Sequence, residues 1–262
     1  DWSSDVCSSD LALDTQTADG FVFRVDMRLR PYGQSGPLVQ NFAALEEYYL
    51  TQGRDWERFA MVKARVVTGE LENRHILQQI LDPFVYRRYL DYGAIEALRD
   101  LKRKINREVT RKGMHDNIKL GRGGIRELEF IVQSFQLIRG GRVQSLQIQS
   151  FEKALEQLAI EGLLEISDKD QLWQAYQFLR NTEHAIQAMD DKQTQQLPAD
   201  SFAQQCLASA MGEPDWTRFT EQLDHHRQQV QCGVHPHAAI ADVPVEPGGD
   251  PRAHRRSGGC VF

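Results

Sequence analysis

The sequence predicts an α+β protein that is mostly helical, and three observations support this prediction. An alternating segment at residues 21–31 is typical of a β-strand. Most of the later sequence follows the three- and four-residue spacing of amphipathic helices. Apolar residues make up 41% and charged residues 26% of the 262 residues, a composition ordinary for soluble proteins that bury a core.

Composition also excludes several classes of protein. The formal charge of −6 argues against a general nucleic-acid-binding protein, and no apolar run reaches the roughly 20 residues of a membrane span. The four cysteines lie far apart without a Cys-x-x-Cys pair, which predicts neither a disulfide framework nor a zinc site. No signal peptide is visible. We therefore expect a soluble cytoplasmic protein that binds neither nucleic acid nor membrane.

The predicted strand at residues 21–31 has an apolar face and a charged face. The charged face carries Arg24, Asp26, Arg28 and Arg30, with neighbours about 6–7 Å apart along the strand. A carboxylate among three guanidinium groups is expected to stay ionised at neutral pH. Such a row is able to bind a metal ion through the carboxylate and phosphate oxygens through the arginines. A surface charge ladder on an antiparallel strand gives the same pattern, so both interpretations stay open.

Helical periodicity dominates the sequence from residue 41 to residue 112. Asn41 is a predicted N-cap for a helix that Gly53 interrupts, and a second helix is predicted at residues 55–67. A short helix is expected to end near Pro83, before a long helix at residues 84–112. The predicted core stripe of the long helix comprises Ile95, Leu98, Leu101, Ile105 and Val109.

A glycine turn at residues 121–124 separates a predicted short strand at residues 118–120 from a helix that begins at Ile125. This order is expected to present free backbone N–H groups at the positive end of the helix dipole, which makes the turn a candidate anion site. Positive charge near the turn comes from Lys119, Arg122 and Arg126. A plain helix-entry turn is the alternative interpretation.

Helical patterns continue after the turn and end near residue 230. The predicted helices begin near Ser150 and cover residues 168–189, 201–211 and 215–230. Glu183 and His184 interrupt a regular pattern, and we interpret them as part of a salt bridge rather than as catalytic residues. Residues 1–10 are interpreted as artefactual or disordered, and residues 231–262 as an unstructured or frame-shifted tail.

Three blocks of the sequence resemble the glutamine synthetase adenylyltransferase family, whose bifunctional members modify and demodify glutamine synthetase. The blocks are FRVDMRLRPYGQSGPL, FAALEEYYLTQGRDWERFAMVKARVV and DNIKLGRGGIRELEFIVQSFQLIRGGR. The resemblance extends over about residues 17–230. Family members have two similar halves. The segments RDWERFAMVKAR and LIRGGR are more similar to the N-terminal, adenylyl-removing half.

The resemblance implies a partial nucleotidyltransferase-fold domain with a truncated sheet at residues 11–130, followed by an α-helical bundle at residues 131–230. It implies metal-dependent phosphorolysis that removes AMP from an adenylyl-tyrosine of glutamine synthetase and releases ADP. Asp26 then corresponds to a catalytic carboxylate that binds Mg²⁺ in a two-metal site. The implied nucleotide- and phosphate-binding residues are Arg28, Arg30, Lys119, Gly123, Gly124 and Arg126. The implied partners are glutamine synthetase, a PII regulatory protein, nucleotide and phosphate.

The sequence also departs from the family pattern. Family members carry an Asp-x-Asp pair after a glycine-rich turn, upstream of the block that contains Asp26, and this pair is missing here. We therefore expect the chain to be a fragment that is inactive alone. Two other functions stay open, namely adenylyl addition from ATP and a non-catalytic helical module that docks glutamine synthetase or a PII protein.

Overall fold

Helices account for most of the regular structure in this chain. A computed structural model describes residues 12–18, 20, 22–23, 25–87, 92–190 and 193–232. The chain divides into two compact units, Asp1–Val85 and Tyr86–Phe262. These described residues form helices, turns and two isolated β-bridges but no strand, so the mostly helical prediction is confirmed and the sheet is not observed. None of the described helices combines the length and apolar character needed to span a bilayer.

Both predicted strands are wrong for the described residues. The described residues of segment 21–31 form bends and turns, and residues 118–120 lie in a turn. A strand needs a partner whose backbone groups complete its hydrogen bonds. The amide of Val25 instead donates to Asp14 Oδ1 at 3.2 Å, and the amide of Arg30 donates to the nearby carbonyl of Arg28 at 3.0 Å. Phe21 and Arg24 of the predicted strand lie outside the described residues.

Besides the helical residues 12–14, the described part of the first unit contains three α-helices: α1 at Phe42–Thr51, α2 at Asp55–Met61 and α3 at Leu71–Val85. The predicted N-cap is confirmed, because Asn41 Oδ1 accepts a hydrogen bond from the amide of Ala44 at 2.8 Å. Helix α2 is shorter than predicted, whereas α3 continues through Pro83. Its end is fixed by Arg58, whose guanidinium donates to the carbonyls of Phe84 and Val85 at 3.0 and 3.1 Å.

Aromatic side chains and a buried carboxylate form the core of this first unit. Tyr49 packs against Phe84 with ring centroids 4.4 Å apart. The buried carboxylate of Glu57 accepts hydrogen bonds from the hydroxyl of Tyr48 at 2.7 Å and from the amide of Arg54 at 2.8 Å. Burial raises the pKa of Tyr49 to about 12, so this hydroxyl stays neutral in the folded unit.

The second unit contains six helices in its described part. They are α4 at Tyr92–Arg111, α5 at Ile125–Arg139, α6 at Phe151–Ile160, α7 at Ile166–Asp190, α8 at Ser201–Ala210 and α9 at Trp216–Cys232. The predicted helices at the C-terminal side are confirmed within about two residues. The long helix predicted from residue 84 instead begins at Tyr92, and Phe84 belongs to α3. Val109 of its predicted stripe is buried, whereas the other four side chains of that stripe lie outside the described residues.

Helix α5 is the most buried helix of the second unit. Leu128, Ile131 and Phe135 are among its fully buried side chains, and the helix packs against α6 and α7. Even the polar Gln136 is buried, with its amide donating to the carbonyls of Leu146 and Ile148 at 2.7 Å each. The glycine turn therefore leads into a helix that is held on several sides. The family resemblance implies a domain boundary near residue 130, and this boundary stays a prediction.

Candidate functional site

Asp26 and Arg28 form an exposed ion pair in the first unit. Asp26 Oδ1 accepts from Arg28 Nε at 2.8 Å, and Asp26 Oδ2 lies 2.5 Å from Arg28 Nη2. The backbone amide of Arg28 also donates to Oδ1 at 3.0 Å. The hydrogen bond and the negative charge of Asp26 raise the pKa of Arg28. The side chains keep 49% and 66% exposure, so solvent screens the pair and ligands have access to both groups.

Arg30 does not join this ion pair. Its guanidinium donates to the backbone carbonyl of Met27, which precedes it, and to those of Gln34 at 3.3 Å and Gly36 at 3.1 Å in the loop that follows. The loop is tight at Gly36, where an added Cβ would lie 1.9 Å from the carbonyl oxygen of Pro31. Arg30 therefore stabilises the loop, although the alternating pattern placed it on the same face as Asp26.

The apolar face predicted for residues 21–31 is only partly covered by the described residues. Phe23 is 67% exposed and Leu29 is 44% exposed, whereas Val25 and Met27 are half-buried. The alternation predicted that these side chains pack inward against a sheet. That packing is absent from the described part of the chain, because no strand there pairs with this segment.

The glycine turn of the second unit uses the backbone N–H groups that were expected to be free. The amide of Ile125 donates to the carbonyl of Ile118 at 3.3 Å, and the amide of Arg126 donates to the carbonyl of Lys119 at 3.0 Å. The turn closes on itself through the amide of Gly124, which donates to the carbonyl of Gly121 at 3.0 Å. The expectation of free donors at this helix start is therefore wrong for these amides.

A carboxylate of the protein occupies the position expected for a bound anion. Glu127 lies in the first turn of α5, and its Oε2 accepts from the amide of Gly123 at 2.9 Å. Its Oε1 lies 3.3 Å from Nζ of Lys102 on α4. Acidic residues are favoured in the first turn of a helix, because they accept from its N–H groups and complement the dipole. This preference was the sequence signal for Glu127, and the sequence reasoning missed it.

Packing requires glycine at two positions of the turn. Gly123 has φ of +67°, and an added Cβ would lie 2.4 Å from the carbonyl oxygen of Arg227 on α9. An added Cβ at Gly124 would lie 2.5 Å from the carbonyl oxygen of Ile118. These contacts favour the helix-entry interpretation and account for both glycines without a bound phosphate.

Arg227 and Asn117 connect the turn to distant parts of the unit. Arg227 Nη2 donates to the carbonyl of Asn117 at 3.2 Å, and burial lowers the pKa of this arginine. Asn117 Oδ1 accepts from the amides of Lys119 and Leu120 at 3.0 and 2.7 Å. The amide of Ile118 donates to the carbonyl of Gln195 at 2.8 Å. Asparagine is a common turn residue for this reason, and that signal at Asn117 was also missed.

Lys119 approaches a buried carboxylate on α7. Its Nζ lies 3.7 Å from Oε1 of Glu183, which is 2% exposed and also pairs with Arg180. Arg180 Nη2 lies 3.4 Å from Nε2 of His184. These contacts confirm the salt-bridge interpretation of Glu183. Arg126 lies in the first turn of α5 and lines a small pocket together with Lys102.

The described residues do not by themselves fit a two-metal site. They contain no group of three or more histidine, cysteine, aspartate or glutamate side chains placed to hold a metal ion. Asp26 is one carboxylate, and it already pairs with Arg28. We therefore derive no catalytic step through Mg²⁺ for this chain. Asp26, Arg28 and Arg30 belong to the first unit, whereas Lys119, Gly123, Gly124 and Arg126 belong to the second.

Comparison with known proteins decides the family. Over 219 residues the chain is 58% identical to the bifunctional glutamine synthetase adenylyltransferase/adenylyl-removing enzyme of Hahella chejuensis, a match that covers 84% of this chain. Over 239 residues it is 55% identical to the enzyme of the same name from Pseudomonas aeruginosa, and this match covers 91% of this chain. The chain belongs to this adenylyltransferase/adenylyl-removing family. The resemblance stated from the sequence is thereby confirmed.

Two family models match different parts of the chain. The model described as glutamate-ammonia ligase adenylyltransferase matches residues 10–81, which include Asp26. The model described as GlnD PII-uridylyltransferase matches residues 99–235, which include the glycine turn. The chain spans about a quarter of the length of its curated relatives, at 23% and 24% of the two named above.

Proposed function

We propose that the chain is part of an enzyme that removes AMP from an adenylyl-tyrosine of glutamine synthetase by phosphorolysis in the cytoplasm. The observation that carries this proposal is the similarity to relatives whose names include the adenylyl-removing activity. The assignment to the N-terminal half rests on the sequences of residues 54–65 and 137–142, which are more similar to that half.

The proposed reaction exchanges one phosphorus–oxygen bond for another. An oxygen of inorganic phosphate attacks the adenylyl phosphorus, and the bond from this phosphorus to the tyrosine oxygen breaks. The products are ADP and tyrosine, whose oxygen takes up a proton. The transition state spreads negative charge over the phosphoryl oxygens, so its stabilisation needs cationic groups.

In this proposal the intact enzyme binds Mg²⁺ through Asp26 together with further carboxylates. Asp26 supports the assignment because its carboxylate is exposed and has an arginine within 2.5 Å. The proposal assigns nucleotide or phosphate contacts to Arg28, Lys119 and Arg126. It extends them to Arg30, Gly123 and Gly124 only if these residues exchange their present hydrogen bonds within the loop and the turn for bonds to phosphate in the intact enzyme. When bound, Mg²⁺ would supply charge neutralisation at the phosphate oxygens.

A full-length enzyme that contains this sequence tests the proposal. The assay measures ADP formed from adenylylated glutamine synthetase in the presence of phosphate and Mg²⁺. Asp26→Ala is expected to reduce the rate at least about 100-fold, the scale of losing a group that stabilises the transition state. Asp170→Ala removes a carboxylate on α7 and is the matched control. Full activity of Asp26→Ala would contradict the assigned role.

The same assay separates removal from addition. Consumption of ATP with release of pyrophosphate would assign the chain to the adenylyl-adding half. Release of ADP that depends on phosphate supports the removing half. The chain alone is expected to be inactive, and measurable phosphorolysis by it would contradict this expectation.

A second candidate function is docking of a PII protein or glutamine synthetase by the helical second unit. The match of residues 99–235 to a model described as a PII-uridylyltransferase favours this candidate. Titration of the whole chain with purified PII protein and with glutamine synthetase tests it. Micromolar binding to either protein would support docking, and no binding at 100-fold higher concentration would contradict it.

A further inference from the structure

A basic cleft lies in the second unit, where the end of α4 approaches the glycine turn. It is lined by Arg107, Thr110, Arg111, His115 and Arg122. These residues come from α4, the 3-10 helix at Met114–Asp116 and the turn itself. Its volume is about 660 Å³, within the 300–1,000 Å³ typical of small-molecule sites.

The charge of the cleft is strongly positive. Arg107 and Arg111 lie four residues apart on α4, so both side chains leave the same face of the helix. Arg122 adds a third guanidinium from the turn, and none of the described residues that line the cleft carries a carboxylate. Three arginines that share one concave surface repel one another unless an anion binds between them.

Two of these three arginines have no partner within the described part of the chain. Arg111 pairs with Glu108 at 2.7 Å, and the pairing lowers the pKa of Glu108 to about 2, so this glutamate is ionised at neutral pH. Arg107 and Arg122 form no ion pair or side-chain hydrogen bond with any described residue. Their planar N–H donors are therefore available to a ligand.

We propose that this cleft binds a small molecule with two or more adjacent phosphate groups. Guanidinium forks match pairs of phosphate oxygens, and the imidazole of His115 offers a further polar contact. Phe, Tyr and Trp are absent from the lining, so the cleft recognises the phosphate chain rather than a nucleobase. The volume exceeds that of a single phosphate.

This site is separate from the proposed phosphorolysis chemistry. Of its lining residues only Arg122 belongs to the glycine turn that the sequence made a candidate anion site, and none is among the residues to which the proposed function assigns Mg²⁺, nucleotide or phosphate. Equilibrium binding to this cleft needs no catalysis, so it is measurable on the 262-residue chain alone. A failure of the phosphorolysis proposal would therefore leave this inference intact, and the reverse also holds.

Isothermal titration calorimetry of the whole chain with inorganic tripolyphosphate, and separately with ATP, tests the inference. Both are expected to bind with affinities within about tenfold of each other, since the phosphate chain supplies the shared contacts. The double variant Arg107→Gln/Arg122→Gln is expected to weaken both at least about tenfold, about 1.4 kcal/mol. Arg218→Gln is the matched control, because Arg218 is an exposed arginine on α9 outside the cleft.

Three results would overturn the inference. One is no binding of either probe at millimolar concentration, and another is unchanged affinity in the double variant. The third is tighter binding of a poly-glutamate peptide than of tripolyphosphate, which would identify an acidic protein segment as the occupant. Arg107 and Arg122 are exposed, so the double variant is expected to keep the parent's circular dichroism spectrum and unfolding midpoint.

Discussion

The Asp26 segment, residues 25–36, and the glycine-turn segment, residues 115–127, share residue types but differ in structural support. Both combine basic residues, acidic residues and glycines beside a short alternating run. In the first, the Asp26–Arg28 pair is exposed. In the second, the backbone is tied to α9, to the segment near Gln195 and to Glu127.

The difference lies in how far along the chain the contacts reach. The side-chain hydrogen bonds described above for the Asp26 segment join residues no more than 11 positions apart, and the ring of Tyr32 packs against Tyr48, 16 positions away. Arg227 reaches Asn117 across 110 positions. Local bonds leave a segment able to open by itself, whereas long-range contacts couple it to the unfolding of the whole unit. The glycine turn is therefore a structural junction of its unit, whereas the hydrogen bonds described for the Asp26 segment are local.

The largest expected effect is at the glycine turn. Gly123→Ala is expected to lower the free energy of unfolding by about 3 kcal/mol, because the new Cβ meets the backbone of Arg227 in a left-handed conformation. Gly162→Ala is the matched control, since its φ of +68° is nearly the same and no atom lies within 4 Å of the new Cβ. The control is expected to cost about 1 kcal/mol. Equal losses of unfolding free energy in the two variants, measured by urea denaturation, would contradict the role of the glycine turn as a structural junction.

A smaller effect is expected where Lys119 meets the buried carboxylate. Glu183→Gln removes the charge that pairs with Lys119 and Arg180, and it is expected to cost about 2 kcal/mol of unfolding free energy. Glu221→Gln breaks the exposed pair with Arg218 and is expected to cost less than about 0.5 kcal/mol. Thermal unfolding of both variants measures the contrast. Matching values would show that burial of Glu183 does not strengthen its pairing.

In the Asp26 segment, the expected effect of Arg30→Gln is local. Glutamine cannot reach three carbonyls at once, so the loop is expected to open more often by about 1 kcal/mol. Hydrogen exchange at the amide of Gly36 is then about fivefold faster, with an unchanged melting temperature. Arg65→Gln is an exposed control in the same unit. A fall in the melting temperature would mean that this segment is coupled to its unit.

The smallest expected effect is that of Asp26→Asn on stability. An exposed ion pair contributes between about 0 and 0.5 kcal/mol, and salt weakens it further. Urea denaturation at low and high salt measures the change. A loss above about 1 kcal/mol would give Asp26 a structural role and would weaken the interpretation of any activity loss in its variants.

Helix positions were predictable where local signals agreed. Asn41 caps α1 as expected, and α6 to α9 follow the apolar spacing of the sequence. The extension of α3 through Pro83 was not predictable, because it accompanies hydrogen bonds from Arg58, 26 and 27 positions away. Both strand predictions failed for the same kind of reason, since alternation describes a face but supplies no hydrogen-bonding partner.

The candidate site was predictable in its residue types and only partly in its geometry. The sequence predicted Asp26 and Arg28 on one face of a strand, and the structure pairs them within a turn instead. The role of Arg30 in its loop and the occupation of the Gly123 amide by Glu127 required coordinates. Each depends on which of several possible acceptors a flexible side chain reaches, and sequence spacing does not rank them.

The sequence by itself determined the family, the helical majority of the chain and the charged residues of both segments. The tertiary structure decided what those residues contact. It placed the backbone of Arg227 against Gly123, buried Glu183 beside Lys119 and gathered the arginines of α4 and the turn into one cleft. The physical reason is that periodicity records the burial of one face, whereas hydrogen bonds and ion pairs depend on atoms brought together from distant parts of the chain.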